Sequence, residues 1–261
     1  MINIDVFMYG VVAAVVASLF SGLGGALLFC RKHYSNKSIN ILLNSSAGIM
    51  LSSALFNLLN PAVVGIKSFA SSNFYSANII FLALLCGVGV IFIIHNILPH
   101  QHEHELKYNP DSIINNRSAL LFVFAIALHK LPEGLAIGVA YAGQEYLNPM
   151  SLVIGMSLQN IPEGLMVSTS LYAIKFSRQR AVYYAALTGL LQPLGAILGL
   201  FITSFSDILI PFGMALAGGT MFFVVVNEVI PETCYHDNKD KGAISLVIGF
   251  ILMTYISIIV G

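Results

Sequence analysis

Residues 119–142 read ALLFVFAIALHKLPEGLAIGVAYA, an apolar run with a histidine, a lysine and a glutamate set inside it. About 30 Å of hydrocarbon takes roughly 20 helical residues to cross, and this run is long enough. Residues 150–174, MSLVIGMSLQNIPEGLMVSTSLYAI, repeat the pattern. Both segments fit [HQ]-x-x-P-E-G, at His129–Gly134 and again thirty residues later at Gln159–Gly164.

Outward from this pair, six further apolar runs are of spanning length. The eight predicted spans are Val6–Cys30, Ile39–Leu59, Ala77–Leu98, Ala119–Ala142, Met150–Ile174, Ala181–Phe205, Ile208–Ile230 and Ile244–Val260. The runs are continuous and do not alternate, which predicts helices over a barrel. The expected fold is therefore an all-α membrane protein, eight transmembrane helices forming one transporter-type domain over residues 1–261. No span is flanked by enough polar sequence for a second, soluble domain.

Composition leads to the same class. The chain is 57% hydrophobic and 9% charged, against about 25% charged in soluble domains. Twelve basic and twelve acidic residues balance, which excludes nucleic acid as a partner because phosphate binding needs a basic excess. Cys30, Cys86 and Cys234 are scattered and lack CxxC spacing, so they read as small apolar fillers. No basic region precedes the first apolar run, so that segment is expected to be retained, not cleaved.

The basic residues set the orientation. Ten lie in the odd-numbered loops: Arg31, Lys32, Lys37, Lys107, Arg117, Lys175, Arg178, Arg180, Lys239 and Lys241. The even-numbered loops hold one, Lys67, and the twelfth, Lys130, lies inside the fourth span. The positive-inside rule then puts the odd loops in the cytoplasm and both termini outside it.

The motif spacing has a chemical reason. His129 and Glu133 are four apart and share a helix face, as do Gln159 and Glu163. Two such faces on antiparallel helices would meet about a pseudo-twofold axis near mid-membrane, an inverted-repeat design common among transporters. Together they offer one imidazole, one amide oxygen and two carboxylates, a set that suits zinc and its borderline neighbours. Pro132 and Pro162 withhold a backbone donor from the carbonyls of Leu128 and Leu158, which predicts a kinked central pair. Acids at a helix centre cost roughly 2.5–3.5 kcal/mol each on insertion scales, which favours function over decoration. The plain alternative is a structural Lys130–Glu133 pair with Glu163 bonded to Asn160. Ligation needs neutral imidazole and ionised carboxylate, so transport should weaken in acid.

These twin motifs closely resemble the paired signature of the ZIP (Zrt/Irt-like) family of metal transporters, and the chain looks most like its compact bacterial branch. The resemblance extends to eight spans, outside termini and a histidine-containing loop between spans three and four. It implies carriage of Zn(II), and variously Fe(II), Mn(II) or Cd(II), into the cytoplasm across a bacterial inner membrane. It places a metal site at His129, Glu133, Gln159 and Glu163. Many members hold a second metal beside the first, and the matching positions here are Lys130, Asn160 and Gln192, where the family usually has Asn, often Asp, and Glu. The second metal is therefore expected to be lost, with the Lys130 ammonium standing in for it. The alternative is that Lys130 turns toward a helix interface.

Other residues extend the path. Asn227, Glu228, Glu232 and His236 resemble acidic cytoplasmic-side residues that receive metal. Asn44, Ser45, Asn57 and Asn60 could line a route or bond between helices. His95, His100, His102 and His104, with Glu103 and Glu105, form a cluster suited to weak zinc binding. The expected partners are divalent metal ions and the bilayer, with a homodimer left open. Two competing functions stand beside transport: a zinc-dependent intramembrane hydrolase, for which no HExxH or nucleophile pairing is present, and a non-transporting metal sensor.

Overall fold

The computed structural model describes residues 4–31, 34–69, 72–97, 116–145, 148–229 and 239–260. These residues form helices and turns and no strand. The helices are α1 (Ile4–Cys30), α2 (Asn36–Ser52), α3 (Asn60–Ile66), α4 (Asn73–Ile97) and α5 (Asn116–Ala142). They are followed by α6 (Met150–Ala173), α7 (Arg178–Gly189), α8 (Leu191–Thr203), α9 (Leu209–Val224) and α10 (Lys239–Val260).

Among the described residues, six helical stretches are long and apolar enough to cross a membrane: Ile4–Cys30, Lys37–Ile66, Asn73–Ile93, Arg178–Thr203, Leu209–Asn227 and Asp240–Val260. The other two long helices, α5 with 27 residues and α6 with 24, carry the polar motifs. Large apolar side chains face outward on the surrounding helices, among them Leu19, Leu23, Phe81, Phe92, Phe201 and Ile251. A water-facing surface does not carry apolar side chains at this density; a lipid-facing one does.

Two prolines redraw the expected spans. Span two does not stop at Leu59 but continues to Ile66. Pro61 has no N–H for the Asn57 carbonyl, and the chain passes it through a π-helical segment, Ser53–Leu59, in which the Asn60 N–H bonds the Leu55 carbonyl. Span six is not one helix but two. It breaks at Leu190, whose N–H turns back to Leu187 at 3.0 Å, just ahead of Gln192 and Pro193. A second π-helical segment, Val225–Val229, extends α9. The α6 helix ends at Lys175, which has φ 71, with the Phe176 N–H returning to the Leu171 carbonyl at 3.2 Å.

Glycines pack the helices into two groups. Within the first (α1, α5, α6, α7 and α8), an added Cβ on Gly24 or Gly164 would lie 2.0 or 1.9 Å from the Ile161 or Ser21 carbonyl. Gly134 and Gly195 oppose each other likewise across α5 and α8, against the carbonyls of Gln192 and Leu131 at 1.8 and 2.1 Å. Within the second group (α2, α3, α4, α9 and α10), Gly48 and Gly249 join α2 to α10, and Gly87 and Gly219 join α4 to α9. Such backbone contact is available only without a side chain. Between the groups, the glycines meet side chains: Gly155 faces Ser53 and Met253, Gly143 faces Met214 and Ile210, and Gly213 faces Val139.

Candidate metal site

Both motif helices run uninterrupted through their prolines, Pro132 in α5 and Pro162 in α6. They meet at a buried polar cluster. Lys130 is the largest fully buried side chain among the described residues. Its Nζ donates to Glu133 Oε2 at 2.9 Å on its own helix and to Glu163 Oε2 on α6. It also donates to Asn160 Oδ1. The Asn160 amide is fixed from behind. Its Nδ2 donates to the Ala17 carbonyl at 2.7 Å and to Gln192 Oε1 at 2.9 Å. The break at Leu190 and the close approach of α8 to Gly134 bring Gln192 into this network.

The structural alternative holds in one half and fails in the other. Lys130 and Glu133 do pair along the helix, but Asn160 bonds Lys130 and Gln192 while Glu163 is taken by the lysine from the opposite helix. Lys130 does not turn away from the motif residues; it bridges the two motif helices. Taking three charges out of water is expensive, and such a cluster persists only where the charges are paired and hydrogen-bonded. Sequence reasoning found each member but could not join them, because cross-helix reach depends on rotation and not on spacing.

Two of the expected ligands have further features. His129 is half-buried and lies one helical turn before Glu133 on the same helix. Gln159 is fully buried; its Nε2 contacts Met156 Sδ at 3.3 Å and its Oε1 has no hydrogen-bond partner among the described residues. A buried amide oxygen left so is costly by about 1–3 kcal/mol unless something supplies positive charge to it. Among the described residues no three His, Cys, Asp or Glu side chains gather as a ready-made ion cage; Glu133 and Glu163 close on the ammonium instead.

Apolar layers bound the cluster along the helices. Ala136 and Ile137 of α5 and Met156 of α6 lie to one side, in the cluster that also holds Leu152 and Val153. Ile126 of α5 and Met166 of α6 lie to the other. Through the first layer a line of polar groups persists. Asn57 accepts from Ser151 at 3.1 Å, and its Nδ2 has no partner among the described residues. Ser53, one turn along the π-helical segment, packs on Gly155 with its Oγ likewise unpartnered. Ser53 and Ser151 were not among the sequence candidates; the proline four residues after Asn57, which forces the π segment, was the available signal.

The remaining candidates divide. Asn44 is buried, donates to its own helix at Asn40 and lies beside Gly242 of α10. Ser45 donates to Ile41. Asn60 is exposed and does not line an interior route. Asn227 is half-buried in the second π-helical segment, which also includes the backbone of Glu228. His95 lies within α4, and nothing of its side chain is described. Glu232, His236, His100, His102, His104, Glu103 and Glu105 fall outside the described residues.

Ionisable groups buried and paired in the middle of long apolar helices define a membrane protein with a polar or ionic pathway. Residues 99–257 match the family model of the ZIP zinc transporter. The chain is 33% identical to the zinc transporter GufA of Myxococcus xanthus, over 97% of this chain and 99% of that protein. It is 33% identical to the zinc transporter ZIPB of Bordetella bronchiseptica, over 97% of this chain and 82% of that protein. It is 30% identical to the zinc transporter ZupT of Chlorobium phaeovibrioides, over 92% and 93%. The chain belongs to the ZIP zinc transporter family. This is a family of transporters and not of enzymes, which removes the intramembrane hydrolase reading.

Proposed function

We propose that this chain carries zinc one ion at a time into the cytoplasm, through a site built from His129, Glu133, Gln159 and Glu163. The observation that carries the reading is the meeting of Glu133 and Glu163, from two helices, on a single positive charge. Two carboxylates that share one ammonium are close enough to share one cation. The unpartnered Gln159 oxygen supplies a neutral donor beside them, and zinc accepts nitrogen and oxygen ligands of these kinds.

A single ion follows from the neighbours. Two dications a few ångströms apart need several anions to offset their repulsion. Lys130, Asn160 and Gln192 stand where family members hold a second metal, and they supply a cation and two neutral amides. Fe(II), Mn(II) and Cd(II) fit the same donors and compete on availability and geometry.

The wider reading is of eight crossings in one domain, residues 1–261, in a bacterial inner membrane with both termini outside. The length of α5 and α6 supports their counting as two of these crossings, and the loop charges support the orientation. Asn57 and Ser53 would line the outer approach. Asn227, Glu228, Glu232 and His236 would receive the ion on the inner side, and His100, His102 and His104 would hold it weakly thereafter. The pathway can be complete within one chain, so a homodimer would not be needed for it.

Radiolabelled zinc uptake into proteoliposomes tests the proposal, with Glu133→Gln and Glu163→Gln as controls. Uptake by the parent protein and none by either correctly folded variant is the expected result. Unchanged uptake in both variants would remove the site. Metal-to-protein ratios by mass spectrometry test the stoichiometry, and two tightly held ions would refute it.

A further inference from the structure

The Lys130 ammonium does more than fill a position next to the cargo ligands: it sits on them. It bonds one oxygen, Oε2, of each glutamate, and its third donor goes to Asn160. An ammonium has three donors, so all are engaged. Asn160 in turn is held by Ala17 and Gln192 and presents its Oδ1 to the lysine whether or not the glutamates do. The lysine therefore has a dock that does not depend on the carboxylates.

We infer that Lys130 is a tethered counter-ion: an incoming divalent cation displaces its ammonium from Glu133 and Glu163 toward Asn160, and the ammonium returns to the carboxylates as the cation leaves. The inference rests on the reading of Glu133 and Glu163 as cargo ligands. Its consequence lies in the return half of a transport cycle. With His129 neutral, two carboxylates and one ammonium give the unloaded carrier a net charge of −1, and a dication makes it +1. Without the ammonium these become −2 and 0. The cost of enclosing charge away from water rises with the square of the net charge. Lys130 therefore balances the two halves of the cycle, and its loss places the whole burden on the unloaded carrier. Net uptake requires the unloaded carrier to return after each delivery. Exchange of a labelled ion for an unlabelled one does not.

The test compares these two fluxes in proteoliposomes holding the full chain. Radiolabelled zinc enters either zinc-free vesicles, which measures net uptake, or vesicles preloaded with unlabelled zinc, which measures exchange. In Lys130→Met the ratio of exchange to net uptake should rise about tenfold or more, and Lys130→Arg, which keeps the charge, should restore it to near the parent value. A ratio in Lys130→Met equal to the parent's overturns the inference. Should the methionine variant fail to accumulate in membranes, Lys130→Gln is uncharged, similar in reach and carries the same expectation. Glu133→Gln separates the counter-ion from the site. Loss of both fluxes in that variant with an unmoved ratio in Lys130→Met removes the counter-ion and leaves the site standing. Retention of both fluxes in Glu133→Gln and in Glu163→Gln removes the site itself.

Discussion

Gly164 of α6 and Ser21 of α1 meet backbone to backbone: a Cβ on the glycine would stand 1.9 Å from the serine carbonyl oxygen. The glycine belongs to the second P-E-G motif, so the residue that lets α1 close in is next to Glu163, one of the two proposed carboxylate ligands. The same holds for Gly134, whose Cβ would stand 1.8 Å from the Gln192 carbonyl. Gly164→Ala and Gly134→Ala should each destabilise the detergent-solubilised protein by about 1–3 kcal/mol or more, because backbone cannot yield as a side chain can. Thermal unfolding measures this. Gly89→Ala is the control, since nothing lies within 4 Å of its added Cβ, and it should hold the transition or raise it slightly, as alanine suits a helix interior better than glycine.

Gln159→Leu should separate stability from function. The substitution removes a buried amide oxygen that has no partner, a relief of up to about 1–3 kcal/mol. The folded protein should gain or hold stability while zinc binding weakens by about tenfold or more. Titration calorimetry beside thermal unfolding would show both. Zinc binding unchanged in this variant would take Gln159 out of the ligand set.

Ser151→Ala should act through Asn57. The serine hydroxyl donates to Asn57 Oδ1 at 3.1 Å, and both residues are fully buried. Its loss leaves a second unpartnered atom on an amide whose Nδ2 already has none, so stability should fall by about 1–3 kcal/mol. Asn57→Leu in the same background should recover part of that loss while depressing zinc uptake. A double-mutant cycle in unfolding experiments reads the coupling.

Lys175→Gly should be stabilising. Lys175 has φ 71 at the end of α6, a conformation that costs a side-chain-bearing residue about 1–2 kcal/mol and glycine almost nothing. The lysine is at the helix end, away from the polar cluster, so uptake should be unchanged while the unfolding temperature rises by a few degrees.

Much of this was legible in the chain. Long apolar runs announced the helices, and the repeated P-E-G announced the pair that matters, because residue identity and spacing along one helix are local properties. What the runs could not reveal was how prolines are absorbed. Pro61 bends the register through a π segment and lets span two reach Ile66, whereas Pro193 ends one helix and begins another at Leu190. Hydropathy is indifferent to that choice; the surrounding packing decides it. The lysine posed the same difficulty. Its place on the first motif fixed a partner three residues on, Glu133, but not the reach to Glu163 or Asn160, which depends on how α5 and α6 are rotated against each other.

The distribution of glycines has a mechanical meaning. Where carbonyl lies on Cα, as at Gly24, Gly48, Gly87, Gly134 and Gly249, there are no rotamers to change and no room to slide. Those joints behave as welds. At Gly155, Gly143 and Gly213 the opposing atoms belong to Ser53, Met253, Met214, Ile210 and Val139, whose side chains can swing. One such joint is a single helical turn from Gln159. Motion between the two groups would meet the least resistance along that lubricated face, with Glu133, Glu163 and Lys130 travelling together as one cast piece.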